Sequence, residues 1–154
     1  MRPVMLVIAG AGVILSGWIL VKYLFPAATA QVDLSQGAAL YAAHCASCHG
    51  AELEGAPNWQ RRGPDDRFPA PPHDETGHTW HHGDQLLFDY TKLGGEATLA
   101  ARGVENFNSG MPGFSDLLTD DEIRDILAFI KSSWPELQRN HQEKMTRQEA
   151  ASQE

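Results

Sequence analysis

Apolar and polar positions divide the chain into three stretches of different character. From Val4 to Val21 no charged residue interrupts 18 consecutive positions, with Arg2 before the run and Lys22 after it. As a helix rising about 1.5 Å per residue, the run reaches about 27 Å, close to the hydrocarbon thickness of a bilayer. The pattern predicts one N-terminal transmembrane helix, with Lys22 snorkelling and Trp18 and Tyr23 at the interface. A cleaved signal peptide is the alternative, because Ala28 and Ala30 offer an A-x-A site. The run exceeds the usual apolar core of a signal peptide, about 7–15 residues, which favours the anchor. Residues 1–30 are thus read as anchor or signal peptide plus linker. Either way, the remainder is expected on the extracytoplasmic, periplasmic side, as a single-pass protein of the cytoplasmic (inner) membrane.

Residues 31–135 carry helical periodicity in separate pieces. Asp33 and Ser35 are N-cap residue types that open a first helix through Gly37-Ala-Ala-Leu-Tyr41. A second helical segment spans Asp84 to Leu93. The last is the clearest: Thr119-Asp120-Asp121-Glu122 is a capping box, and Ile123, Ile126, Leu127 and Ile130 follow at three- and four-residue spacing. Pro135 ends it. The intervening stretches are rich in Gly, Pro and polar residues, with no strand alternation and no internal repeat. The pattern predicts a small all-α domain with long loops, and about 100 residues give such a design little core of its own. Residues 136–154 form a polar tail, read as a solvated helix or as disorder.

Charge narrows the partners. Arg2 and Lys22 are the only charged side chains before residue 31, so the remainder carries all 20 acidic residues and 10 of the 12 basic ones, a formal charge of −10. A surface of that sign argues against nucleic acid and anionic lipid and suits a partner with a basic docking face.

The chemistry concentrates in Cys45-Ala46-Ser47-Cys48-His49, the C-x-x-C-H attachment sequence of a c-type haem. Two thiols on one helical turn can each add to a vinyl group of the same porphyrin, and the next residue presents an imidazole to the iron. A redox dithiol would sit in a βαβ pattern, and a structural zinc site would need a second Cys/His pair. Cys45 and Cys48 are the only cysteines. The expected cofactor is therefore one covalent haem c, with His49 as axial ligand.

These residues resemble those of the class I c-type cytochromes, over roughly Asp33 to Trp134, and the likeness extends to membrane-anchored bacterial mono-haem members. The resemblance implies a cytochrome c-like haem domain over 31–135 in which a methionine downstream supplies the second axial ligand. Met1 and Met5 lie in the leader and Met145 in the tail, which leaves Met111, between Gly110 and Pro112-Gly113. The plainer reading of Met111 is a gap-filling loop residue. The resemblance also implies that Gly37 and Tyr41 of the first helix cross Ile126 and Phe129 of the last. It further implies that the carbonyl of Pro57, in Gly55-Ala56-Pro57-Asn58, accepts the His49 N–H.

The segment from Arg61 to His82 departs from the short carriers. His78, His81 and His82 have one-face helical spacing and could hold a second metal ion. The favoured reading is that this segment covers the haem edge, with Trp80 donating to a propionate. His44 reads as a surface residue, and His141 carries no signal. The expected function is one-electron transfer between redox proteins of a membrane respiratory chain, without a small-molecule substrate and without catalysis by the domain itself. The rivals are a haem subunit of a larger oxidase or dehydrogenase complex and a metal-handling or sensor cytochrome.

Overall fold

The structure, a computed structural model, describes residues 31–152. Among these described residues six α-helices and one 3-10 turn follow in order: α1 (Leu34–His44), α2 (Ala46–His49), the turn Thr79–His81, α3 (Asp84–Leu93), α4 (Gly95–Ala101), α5 (Asp120–Ser132) and α6 (Glu136–Ala151).

Two capped helices make the frame. Asp33 caps α1 by accepting from the backbone N–H groups of Ser35 and Gln36 at 2.9 and 3.0 Å. Its own N–H donates to Asp125 Oδ1 of α5 at 2.8 Å, tying the start of one helix to the middle of the other. Thr119 and Glu122 close a reciprocal capping box at the start of α5, as its sequence predicts. The two helices cross at Gly37. A Cβ built there would lie 2.1 Å from the Asp125 carbonyl oxygen, so only glycine permits this approach. One turn on, the Tyr41 and Phe129 rings meet with centroids 5.5 Å apart. Tyr41, Ile123, Ile126, Ile130 and Trp134 form the buried core at this crossing.

The tail takes the ordered alternative. It forms α6, and Val32–Glu154 make up one compact unit. Gln142 is 1 % exposed, and its amide donates to Asp84 Oδ1 at 2.6 Å, while Lys131 of α5 reaches the same carboxylate at 2.8 Å. Gly83 gives α3 no side-chain cap. Thr146 Oγ1 and Glu149 Oε2 of α6 accept the N–H groups of Asp84 and Gln85 instead, which satisfies the first-turn donors from another helix.

The expected transmembrane helix requires correction. No helix among the described residues is long and apolar enough to cross a membrane. The longest, α6, has 16 residues and is polar, whereas a span takes about 20 apolar ones. The run from Val4 to Val21 lies outside the described residues, and placement as a single-pass inner-membrane protein is withdrawn with it.

The crossing yields a stability test. Gly37→Leu should destabilise by about 1–3 kcal/mol or more by overpacking a backbone contact. Tyr41→Ala should cost about 3–5 kcal/mol. Chemical denaturation of the full chain measures both, and two losses below about 1 kcal/mol would remove the crossing as the source of the fold's stability.

Candidate haem site

The Cys45–His49 pentad occupies the break between α1 and α2. The Cys45 N–H still donates to Tyr41 O at 2.8 Å, and the His49 N–H donates back to Cys45 O at 2.9 Å, so both sulfurs and the imidazole share one helical turn. Tyr41 OH donates to Gly50 O at 2.9 Å and ties the end of this turn to the helix crossing. Cys45 is half-buried and Cys48 exposed. Burial, then the neighbouring Cys48, pushes the Cys45 thiol up to about 11. A catalytic redox dithiol needs the opposite, a thiolate stabilised near neutral pH. The pair therefore lacks the activated thiolate of a cycling redox dithiol.

His49 is 8 % exposed, and burial holds its pKa below the usual imidazole value. Its Nδ1 lies 2.8 Å from Pro71 O. A carbonyl can only accept, so Nδ1 carries the proton and the Nε2 lone pair is free for a metal ion. The residue supplying this carbonyl is Pro71 and not the expected Pro57. The reason lies in the loop: Ala56 N–H donates to Ala70 O at 2.8 Å, which closes the chain on itself and throws residues 57–69 outward. Pro57 is on that excursion, exposed to solvent. Pro71 lies just inside the closure.

His73 follows two residues later and stacks on His49, with ring centroids 4.0 Å apart and planes 19° from parallel. Burial, then His49 and His78, holds His73 well below the usual value and keeps it neutral. Trp134 Nε1–H, from just beyond α5, donates to His73 O at 2.6 Å.

Met111 sits on a separate arm, half-buried. Its carbonyl accepts from Gly95 N–H at 3.1 Å, and Phe114 N–H donates to Thr91 O at 3.0 Å, so the loop is stitched to the α3–α4 junction. Gly94, at φ +86, lies so close that a Cβ would come within 2.8 Å of Gly113 N. The outward excursion fastens to this arm. Arg67 Nε donates to Asn108 Oδ1 at 2.9 Å, Asn108 Nδ2 donates to Asp65 O at 2.9 Å, and the Phe68 ring faces that of Phe107.

The histidine-rich segment splits into pairs. His78 packs edge-on to His82 with centroids 5.4 Å apart, and its other side stacks on Trp59. His81 meets His141 of α6 at 5.2 Å and stacks on Trp80. Among the described residues no three His, Cys, Asp or Glu side chains converge on a point that could hold a metal ion. The extra site expected at His78, His81 and His82 is therefore not assembled, because only one turn of 3-10 helix runs through them and their rings are taken up by aromatic neighbours. The segment does hold two buried nitrogens without a hydrogen-bond partner, Trp80 Nε1 and His78 Nδ1. A buried donor left unpaired costs about 1–3 kcal/mol, so such atoms mark where a bound group supplies acceptors. The residues fit a haem: two thiols on one turn, a neutral imidazole with Nε2 free, and buried nitrogens suited to propionate oxygens.

Sequence reasoning missed Pro71, His73 and His141. Nothing in the local pattern marks the first two, and the third becomes visible only once α6 packs on the turn Thr79–His81.

A family model described as cytochrome c matches residues 34–134. No curated protein and no solved structure matches the chain.

The paired histidines generate a prediction. After dialysis against micromolar copper and removal of free ion, the purified protein should retain no stoichiometric copper. One copper per chain, lost on His81→Ala, would show that the segment assembles a metal site after all.

Proposed function

The chain belongs to the cytochrome c family, as a class I c-type cytochrome carrying covalent haem c, and from that premise we propose a carrier of single electrons whose iron lies between His49 and Met111. Bound to Cys45 and Cys48, the haem supplies a one-electron iron couple. The observation that carries the ligand assignment is the 2.8 Å contact of His49 Nδ1 with Pro71 O. It commits the proton to Nδ1 and leaves Nε2 as the metal-binding atom, on the turn that bears both thiols. Met111 is the counterpart because its loop is anchored at both sides by backbone bonds to α3 and α4.

The protein's part is to hold both ligands still. His49 is kept neutral by burial, so little protonation competes with metal binding at neutral pH. Met111 contributes a neutral thioether, which favours the reduced state relative to bis-nitrogen ligation. With His49 and Met111 both holding the iron, the domain would be suited to electron transfer rather than to binding a small-molecule substrate. Trp80 Nε1–H, buried without a partner, would donate to a propionate and offset part of its charge. The net negative surface favours a redox partner with a basic docking face, and the rate of their reaction should fall as salt rises.

Two substitutions test the reading. Met111→Ala should abolish the weak far-red sulfur-to-iron band of the oxidised protein while leaving the haem attached. Survival of the band would exclude Met111 as ligand. Trp80→Phe should lower the reduction potential, because an uncompensated propionate favours ferric iron. An unchanged or higher potential would remove Trp80 from that role.

A further inference from the structure

We propose that His73 is a positioning residue that fixes the plane of the His49 imidazole through the parallel stack of the two rings. The inference rests on the haem reading above and extends it from which atom binds iron to how that ring is oriented.

One hydrogen bond does not hold an imidazole. The Pro71 carbonyl pins Nδ1, but a carbonyl oxygen accepts over a broad range of directions, so the ring can still swing about its Cβ–Cγ bond. A second flat ring 4.0 Å away and 19° from parallel blocks that swing on the face it covers. For this to work the second ring must itself be fixed, and His73 is held on every side. Its N–H donates to Leu53 O at 2.7 Å, and its carbonyl accepts from Trp134 Nε1–H at 2.6 Å. The Tyr41 ring stands edge-on at 6.2 Å. Tyr41 and Trp134 are each 1 % exposed, so both supports belong to the core at the helix crossing.

The choice of histidine over a plain aromatic follows from its tether. His73 Nδ1 lies 2.8 Å from Thr79 Oγ1, which is 3.3 Å from Pro72 O. A hydroxyl with one hydrogen serves both when it donates to Pro72 O and accepts Nδ1–H from His73. Three consecutive residues then act together. Pro71 sets the tautomer of His49, Pro72 fixes Thr79, and His73, held by Thr79, sets the ring plane. The plane of an axial imidazole governs which iron d orbital it overlaps, and hence how unpaired spin spreads over the porphyrin.

The experiment uses the full chain carrying haem, with wild type compared against His73→Leu, His73→Phe and Thr79→Val. Covalent haem is verified by its pyridine complex and Met111 ligation by the far-red band. The readouts are the pattern of haem-methyl hyperfine shifts in the ferric proton spectrum and the reduction potential. His73→Leu should reorder the methyl shifts and move the potential while haem and far-red band persist. His73→Phe, which keeps a flat ring but loses the tether to Thr79, should give shifts between those of wild type and His73→Leu, and Thr79→Val, which also loses only the tether, should fall in the same intermediate range. A haem-loaded His73→Leu with wild-type shifts and potential would overturn the proposal, as would a His73→Phe indistinguishable from His73→Leu. Should His73→Leu fail to fold, Thr79→Val decides, because it removes only the tether: shifted methyls support the stack and unchanged ones refute it. A wild-type chain that carries no covalent haem would instead defeat the haem reading on which the stack depends.

Discussion

The contact of Gly37 with the α5 backbone at Asp125 brings α1 and α5 close enough for Tyr41, Phe129 and Ile126 to interlock, and the haem-side geometry hangs from that crossing. From the α1 side, Tyr41 OH reaches Gly50 O and ends the C-x-x-C-H turn at a defined place. From the α5 side, Trp134 Nε1 reaches His73 O. The turn that carries His49 and the His73 ring stacked on it are therefore each tied to a buried aromatic residue of the same core. A side chain at position 37 would separate the helices and loosen both supports together. The cost of keeping glycine inside a helix, about 0.5–1 kcal/mol relative to alanine, is small beside the packing it permits.

Electrostatics work in the same direction around the site. Burial holds the His49 and His73 imidazoles below their usual pKa and raises that of the Cys45 thiol before attachment. Two imidazoles stacked at 4.0 Å could not both be cationic without strong repulsion, so desolvation and contact geometry enforce one protonation state. Asp84, with Lys131 and the amide of buried Gln142, joins three helices at one carboxylate. Such a half-exposed polar junction adds little net stability, but it admits one arrangement of α3, α5 and α6 and disfavours others.

Short-range signals were legible in the sequence and long-range ones were not. The capping box at Thr119, the span Asp84–Leu93, the first-helix cap at Asp33 and the apolar face of α5 all depend on residues within a turn or two of one another, and the structure has them where the pattern placed them. The C-x-x-C-H pentad is likewise local. The resemblance points to Pro57 of Gly55-Ala56-Pro57-Asn58 as the carbonyl beside His49, whereas the structure has Pro71 there. The deciding fact, the closure of Ala56 on Ala70, is a contact across the loop that no periodicity encodes. His73 carries no local signal either, because its partner His49 lies 24 residues away in sequence and meets it only in the folded loop. The tail looked solvated because its composition is polar. Its docking relies on Gln142, Thr146 and Glu149 completing another helix's hydrogen bonds, a role that polar residues fill without leaving an apolar stripe.

The long excursion from residue 57 to 69 then acquires a physical purpose. A thioether is a weak ligand, and a loop rich in glycine, as around Met111, has much conformational freedom to lose when it binds. Backbone bonds from Gly95 and Phe114 restrain that loop at its base, and Asn108 restrains its other side through Arg67 and the Asp65 carbonyl. The excursion originates at the closure that also places Pro71 against His49. A single folded loop thus touches both segments, meeting the His49 imidazole at its root and bracing the Met111 loop at its tip. Each surface hydrogen bond adds only about 1 kcal/mol. Their value lies in restraining the loop beforehand: were Met111 to hold the iron as proposed, less entropy would be lost on binding.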